Sequence, residues 1–103
     1  MKRTAQPRSY AGETVYVGID VHKRTYAVVA RAGQEEVKRW TTVATPSGLA
    51  TQLLKYFKGA KICTAYEAGF SVFVLHRELE SQGIESIVVH AAAVETSAHN
   101  RVK

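Results

Sequence analysis

The stretch Val15-Tyr16-Val17-Gly18-Ile19-Asp20, with Val21-His22-Lys23-Arg24 and Thr25-Tyr26-Ala27-Val28-Val29-Ala30 behind it, decides how this chain folds. Its opening is an apolar run that reads as a strand, and the residues after His22-Lys23 read as a second. The link between them is of hairpin length, so the two strands are expected to lie antiparallel. At the end of the first stands Asp20, the only aspartate among the 103 residues. A carboxylate on the edge of a sheet core is unfavourable without a partner, and the usual partner at such a place is a divalent metal.

Working outward, three strand-like runs rich in Val, Thr, Tyr and Trp fall near 14–20, 24–32 and 35–43. The second link, Ala32-Gly33-Gln34, is also tight, so the three form an antiparallel meander. Thr45-Pro46-Ser47 then announces a helix, with Thr45 placed to cap it and Pro46 in its first turn. Leu49, Leu53, Leu54 and Phe57 follow at helical spacing until Gly59 ends the pattern. A fourth strand over 61–66 runs into Glu67-Ala68-Gly69. A second helix carries Val72, Leu75 and Leu79 on one face and closes at Gly83. Ile84 to His90 reads as a fifth strand, before Ala91-Ala92-Ala93. The chain thus divides into a basic, flexible leader (1–13), one α/β domain (14–95) and a polar tail (96–103).

The order β-β-β-α-β-α-β restricts the topology. A meander followed by two helical crossovers gives a mixed five-stranded sheet whose last strands run parallel to the first. With right-handed crossovers the strand order is 3-2-1-4-5, that of the ribonuclease H-like fold, with flanking helices. Strands one and four are then neighbours, so Asp20 and Glu67 emerge at the same end of adjacent parallel strands. Two carboxylates so placed repel one another, and a bound cation relieves the repulsion. Mg²⁺ or Mn²⁺ on oxygen ligands is the expected occupant, and two such ions would clamp a phosphodiester.

Composition bounds the reading. At this length the chain makes one domain with a single core. Apolar content of 46% and charged content of 22% are those of a folded protein. The net charge of +5 suits nucleic acid without demanding it. No segment is apolar enough to span a bilayer, and the leader has no secretory h-region. The single cysteine, Cys63, excludes an internal disulfide and fits a reducing cytoplasm; its apolar neighbours suggest a small core residue rather than a nucleophile.

The strings Tyr16-Val17-Gly18-Ile19-Asp20-Val21-His22-Lys23 and Tyr66-Glu67-Ala68-Gly69 resemble the first two acidic motifs of the DEDD transposases of bacterial insertion sequences. The similarity extends to Ile87-Val88-Val89 and to the tail Asn100-Arg101-Val102-Lys103, covering most of the chain after residue 14. Those enzymes carry an N-terminal domain similar to the RuvC Holliday-junction resolvases, and some are directed by a bridge RNA. The resemblance implies metal-dependent cleavage and exchange of DNA strands, with Asp20 and Glu67 as catalytic metal ligands. It implies DNA, and for the guided members an RNA, as partners. It also implies a second acidic pair, two aspartates, in a stretch that would begin just beyond Lys103, and a further domain with a serine nucleophile. No aspartate follows Asp20, so the chain corresponds to part of a catalytic domain and is expected to be inactive alone.

Each residue also has a plainer reading. Asp20 could close a hairpin turn, and Glu67 could sit exposed before a helix N-terminus. His22 reads as a solvated turn residue, while Lys23 is balanced between a turn and a phosphate contact. Arg39 and Trp40 could meet nucleic acid by charge and stacking, or form an edge strand with Trp40 over the core. Arg101 and Lys103 are the remaining candidates for nucleic-acid contact. His76 is expected to be exposed, and His90 to end a strand near the site. Gly18 and Gly69 suggest close backbone approach or a turn. No paired-cysteine or HExxH spacing supports zinc, and no GxxxxGK supports a nucleotide loop. A sugar-kinase or actin-like ATPase also opens with Gly-Ile-Asp, but needs a second phosphate loop and a far longer chain. The competing reading is a non-catalytic domain that binds nucleic acid or pairs with a second copy, for instance through an exposed edge of the third or fifth strand.

Overall fold

Alternation of inward and outward residues along the strands gives the sheet one packed face and one open face. The computed structural model describes residues 9–69 and 72–90. Its elements are β1 (Thr14–Val21), β2 (Thr25–Ala32), β3 (Glu35–Val43), α1 (Pro46–Tyr56), β4 (Lys61–Glu67), α2 (Val72–Ser81) and β5 (Glu85–Val89). The sheet order is β3-β2-β1-β4-β5. β1 and β2 pair antiparallel, as do β2 and β3, while β1/β4 and β4/β5 are parallel. This is the mixed sheet the element order predicts, and it is ribonuclease H-like.

The period-2 pattern turns Val15, Val17 and Ile19 of β1, Tyr26, Val28 and Ala30 of β2, and Ile62, Thr64 and Tyr66 of β4 to one side. α1 brings Leu49, Ala50 and Leu53 onto that side, and α2 brings Val72, Leu75 and Leu79, making one cluster with Phe57 and Ile84. Burying a leucine of this kind stabilises by roughly 1.5–3 kcal/mol. Trp40, Tyr56, Phe57 and Tyr10 extend the cluster in edge-to-face contacts, Trp40 to Tyr56 at 5.3 Å and Tyr10 to Phe57 at 5.1 Å.

Turn chemistry sets the boundaries. Gly33 (φ 65°) makes the β2–β3 turn, a conformation L side chains rarely adopt. Gly59 (φ 82°) follows α1, and a Cβ there would lie 3.0 Å from that of Ala11. Thr45 occupies the N-cap position of α1, but its hydroxyl makes no capping bond; Pro46 begins the helix as expected. Val37 is the extra residue of a bulge in β3, where the register with β2 shifts at Ala30/Arg31.

Both helices lie on the packed side. The opposite side carries Tyr16, Gly18 and Asp20 of β1, Val29 and Arg31 of β2, Cys63, Ala65 and Glu67 of β4, and Ile87 of β5, and no described element covers it. Cys63 is therefore not the core residue its apolar neighbours suggested. It is half-buried on the open face, 3.6 Å from Oε1 of Glu85, because Thr64 takes the inward parity and bonds the Glu85 carbonyl at 2.8 Å.

Candidate metal site

Asp20 and Glu67 each end a strand, and the pairing aligns those ends. The parallel register of β1 and β4 runs from Thr14–Lys61 to Ile19–Tyr66, so Asp20 and Glu67 are the next residues along. Adjacent strands lie about 4.8 Å apart. Both residues have outward parity, opposite to Ile19 and Tyr66, so the two carboxylates share a rim and a face. Both are exposed, and both line one cleft of about 690 Å³ with His22, Lys23, Ala44, Pro46, Gly69 and Val72 among its other walls.

Among the described residues the Asp20 side chain has one ion-pair contact, with His22 Nε2 3.1 Å from its Oδ2. The His22 backbone N–H donates to the Thr25 carbonyl at 2.9 Å, closing the β1–β2 turn. Glu67 is followed by Ala68, whose N–H donates to the Val89 carbonyl at 2.6 Å, which extends the β4–β5 ladder past the acidic residue. Each carboxylate thus stands on anchored backbone while its own oxygens reach solvent.

The donor set is hard and incomplete. Among the described residues no group of three or more His, Cys, Asp or Glu side chains is placed to hold a metal ion. Two carboxylates and open coordination space match the way Mg²⁺ is bound, through one or two carboxylates with waters and substrate phosphates filling the rest. They do not match a closed structural zinc site. Asp20 and Glu67 are the residues that would hold such an ion.

The other candidates divide. Lys23 lines the cleft beside Asp20. Arg39 and Trp40, adjacent in sequence, point to opposite faces of β3, and neither lines the cleft. Arg39 is engaged with Glu36 through two bonds of 3.0 and 2.7 Å, which hold the Glu36 carboxyl below its usual range. Trp40 turns inward, its indole N–H donating to Gln52 Oε1 at 2.8 Å and its ring packing on Tyr56 and Phe57. Arg101 and Lys103 lie outside the described residues, as does the 96–103 tail. His90 is exposed just past β5. Gly18 is not a point of close approach: nothing described lies within 4 Å of the place its Cβ would occupy, because its side is open.

One group of residues was not foreseen. His76 is half-buried rather than exposed, with Nδ1 2.9 Å from Ser86 Oγ, and Ser86 Oγ also bonds the Tyr66 hydroxyl. The Ser86 N–H donates to Glu80 Oε2 at 3.0 Å. This chain ties β4, β5 and α2 together behind the rim, with Tyr66 inward where Glu67 is outward. Burial pushes the Tyr66 hydroxyl above its ordinary value, Glu80 adding to the shift and the Ser86 bond opposing it. Its sequence signal was Ser86 itself, at inward parity between Ile84 and Val88.

Comparison with known proteins places this geometry in a fold class. No protein-family model and no curated protein matches the chain. Among solved structures it is similar to a protein from Bacteroides thetaiotaomicron VPI-5482 with an actin-like ATPase fold and unknown function. The TM-score there is 0.58 with 12% identity, covering 79% of this chain and 34% of that one. It is also similar to T. thermophilus RuvC in complex with a Holliday junction substrate, with a TM-score of 0.56 and 10% identity, covering 81% of this chain and 68% of RuvC. The chain thus spans about a third of the length of the first protein. Its class is an α/β domain of the ribonuclease H-like, RuvC-like fold. At such identities the likeness is one of fold, so the chemistry must be argued from the rim.

Proposed function

We propose that this chain is part of the catalytic domain of a DNA transposase or recombinase of the DEDD type, with Asp20 and Glu67 as two of its metal-holding carboxylates. The observation that supports this most is their convergence: two acidic residues, far apart in sequence, end neighbouring parallel strands on one face and line one cleft. A divalent ion there, Mg²⁺ or Mn²⁺, would supply Lewis-acid activation of a phosphodiester. Lys23 stands beside Asp20 as a compact positive charge for a DNA phosphate. The open face next to the two carboxylates leaves room for the further acidic pair that the resemblance puts beyond Lys103. DNA is the proposed substrate, and a guide RNA the proposed second partner.

The actin-like branch of the fold is disfavoured by the β1–β2 turn. Nucleotide phosphates are cradled by glycine-rich loops whose backbone N–H groups converge. Here the turn reads Val21-His22-Lys23-Arg24, with no glycine, and its His22 N–H is already bonded to Thr25.

A second reading, a non-catalytic domain that binds nucleic acid or a second copy, is favoured by the uncovered face, where Tyr16 and Ile87 are 55% and 49% exposed. Calorimetric titration with Mn²⁺ separates the two. Heat with the wild type that disappears in Asp20→Ala supports the metal site, and no heat with either supports the scaffold. Nicking of supercoiled DNA by a chain extended past Lys103, lost in Glu67→Gln, would then test the strand-cleavage step.

A further inference from the structure

The cleft at the rim has two chemical characters. Asp20, Lys23 and Glu67 stand where β1 and β4 end and in the turn after β1. Ala44 and Pro46, at the entry to α1, and Val72 and Val74, in the first turn of α2, bring apolar surface to the same cleft. Val72 is buried and belongs to the core, whereas Val74 is 59% exposed. A single exposed valine is ordinary. An apolar wall inside a concavity, with a few polar groups at one end, is the general form of a ligand site. Its volume of about 690 Å³ also lies in the range such sites occupy.

Paired DNA has little to set against that wall. A duplex presents phosphate and sugar outward, and the base edges in its grooves are hydrogen-bonding groups apart from the thymine methyl. The flat faces of a base match an apolar surface, and they are free only when the base has left the stack. A nucleotide in that state has the two characters of the cleft, an anionic backbone and an apolar body. A free nucleotide matches less well, because the turn beside the cleft has no glycine-rich loop for its phosphates.

We propose that the cleft receives one unpaired nucleotide of a DNA strand, with its base against the wall formed by Ala44, Pro46, Val72 and Val74. Val74 is then a binding residue for that base. The inference rests on the function proposed above for the identity of the ligand as DNA, and it calls on no bound ion.

The test measures fluorescence anisotropy of the full chain with three labelled DNAs of one sequence. One is a duplex, one is the same duplex with a single unpaired adenine, and one has an abasic nucleotide in place of that adenine. Salt is held constant, since phosphate contacts make affinity depend on it. The unpaired adenine should bind about fivefold more tightly than the duplex, the lower end of what seating a base contributes. The abasic DNA should bind like the duplex. Val74→Ser should narrow the preference for adenine by about threefold, as for the loss of roughly one buried methyl group. Val74→Ile keeps the wall apolar and should retain the preference. Urea unfolding of both variants should match wild type within about 0.5 kcal/mol, as expected for exposed positions. Equal binding of adenine and abasic DNA, a preference untouched by Val74→Ser, or an isoleucine variant as impaired as serine overturns the proposal. If the duplex binds but the unpaired adenine adds nothing, only this inference falls. If none of the three DNAs binds, the function proposed above falls with it.

Discussion

The two faces of the sheet come from the same five-to-nine-residue strands yet obey different rules. The packed face is apolar, closed by two helices, and its polar groups are paired: Thr64 bonds the Glu85 carbonyl, and Ser86 joins Tyr66 and His76. Among the described residues it leaves no buried side-chain nitrogen or oxygen without a partner. The open face mixes Tyr16, Val29 and Ile87 with Arg31, Lys61, Glu85, Asp20 and Glu67, and nothing described lies within 4 Å of where a Cβ on its Gly18 would stand. Stability therefore resides on one side, and the chemistry-bearing groups stand on the other, held by backbone that the first side fixes.

The sharpest break of that contrast is a truncation in the packed layer. Leu75 is fully buried between α2 and the sheet. Leu75→Ala removes its contacts and leaves a cavity, an expected loss of about 2–5 kcal/mol in urea unfolding. A loss below about 1 kcal/mol would mean that α2 does not close this face as described.

Next in size is the hydrogen-bonded chain behind the rim. Ser86→Ala leaves the Tyr66 hydroxyl and His76 Nδ1 without their shared partner, an expected cost of about 1–3 kcal/mol. The expected companion effect is loosened order at Glu67, seen as a chemical-shift change of its backbone amide. A variant as stable as wild type with Glu67 unmoved would show that the chain is incidental.

The packed face should also set the alkaline limit of the fold. Tyr26 and Tyr66 are both shifted above the ordinary tyrosine value of 10.0, burial being the larger cause in each. The folded protein thus holds these protons more tightly than the unfolded chain. Stability is fully present below pH 10 and is lost as pH rises through the raised folded values. Tyr26→Phe should flatten that decline in denaturation midpoints between pH 9 and 11. An equally steep decline in the variant would assign the alkaline loss to other groups.

Much of this was legible from the residues, for identifiable reasons. Alternating Val, Ile and Tyr in β1, β2 and β4, together with Gly33, Pro46, Gly59 and Gly83, gave the elements almost to their ends. The meander plus two crossovers then left one economical sheet order, which aligned Asp20 with Glu67. Face assignment was harder. β4 is apolar at both parities, so Ile62-Cys63-Thr64-Ala65-Tyr66 does not say which side is covered, and Cys63 was read inward when Thr64 takes that place. Arg39 and Trp40 were open to two readings, a nucleic-acid surface or an edge strand with Trp40 over the core; a strand sends neighbours to opposite sides, and here Trp40 packs inward while Arg39 stays exposed. His76 looked exposed because its helical neighbours are charged, and its partner Ser86 lies on another element.

The smallest expected effect falls on the open face, and it tests the contrast most directly. Ile87 lies beside Ala65 in the β4–β5 register, and its side chain contacts the solvent-facing groove. Ile87→Thr keeps β-branching and strand propensity while replacing a methyl-bearing arm with a hydroxyl, so the change registers burial rather than backbone preference. An uncovered position predicts a shift within about 0.5 kcal/mol, independent of protein concentration. A loss approaching that of Leu75→Ala would mean that Ile87 is buried in solution. If that loss shrank on dilution, a second copy would be the covering layer, because only an intermolecular contact makes stability depend on concentration. If it did not, the cover would belong to the same chain, and the carboxylates of Asp20 and Glu67 would stand at the mouth of a closed groove rather than on an open rim.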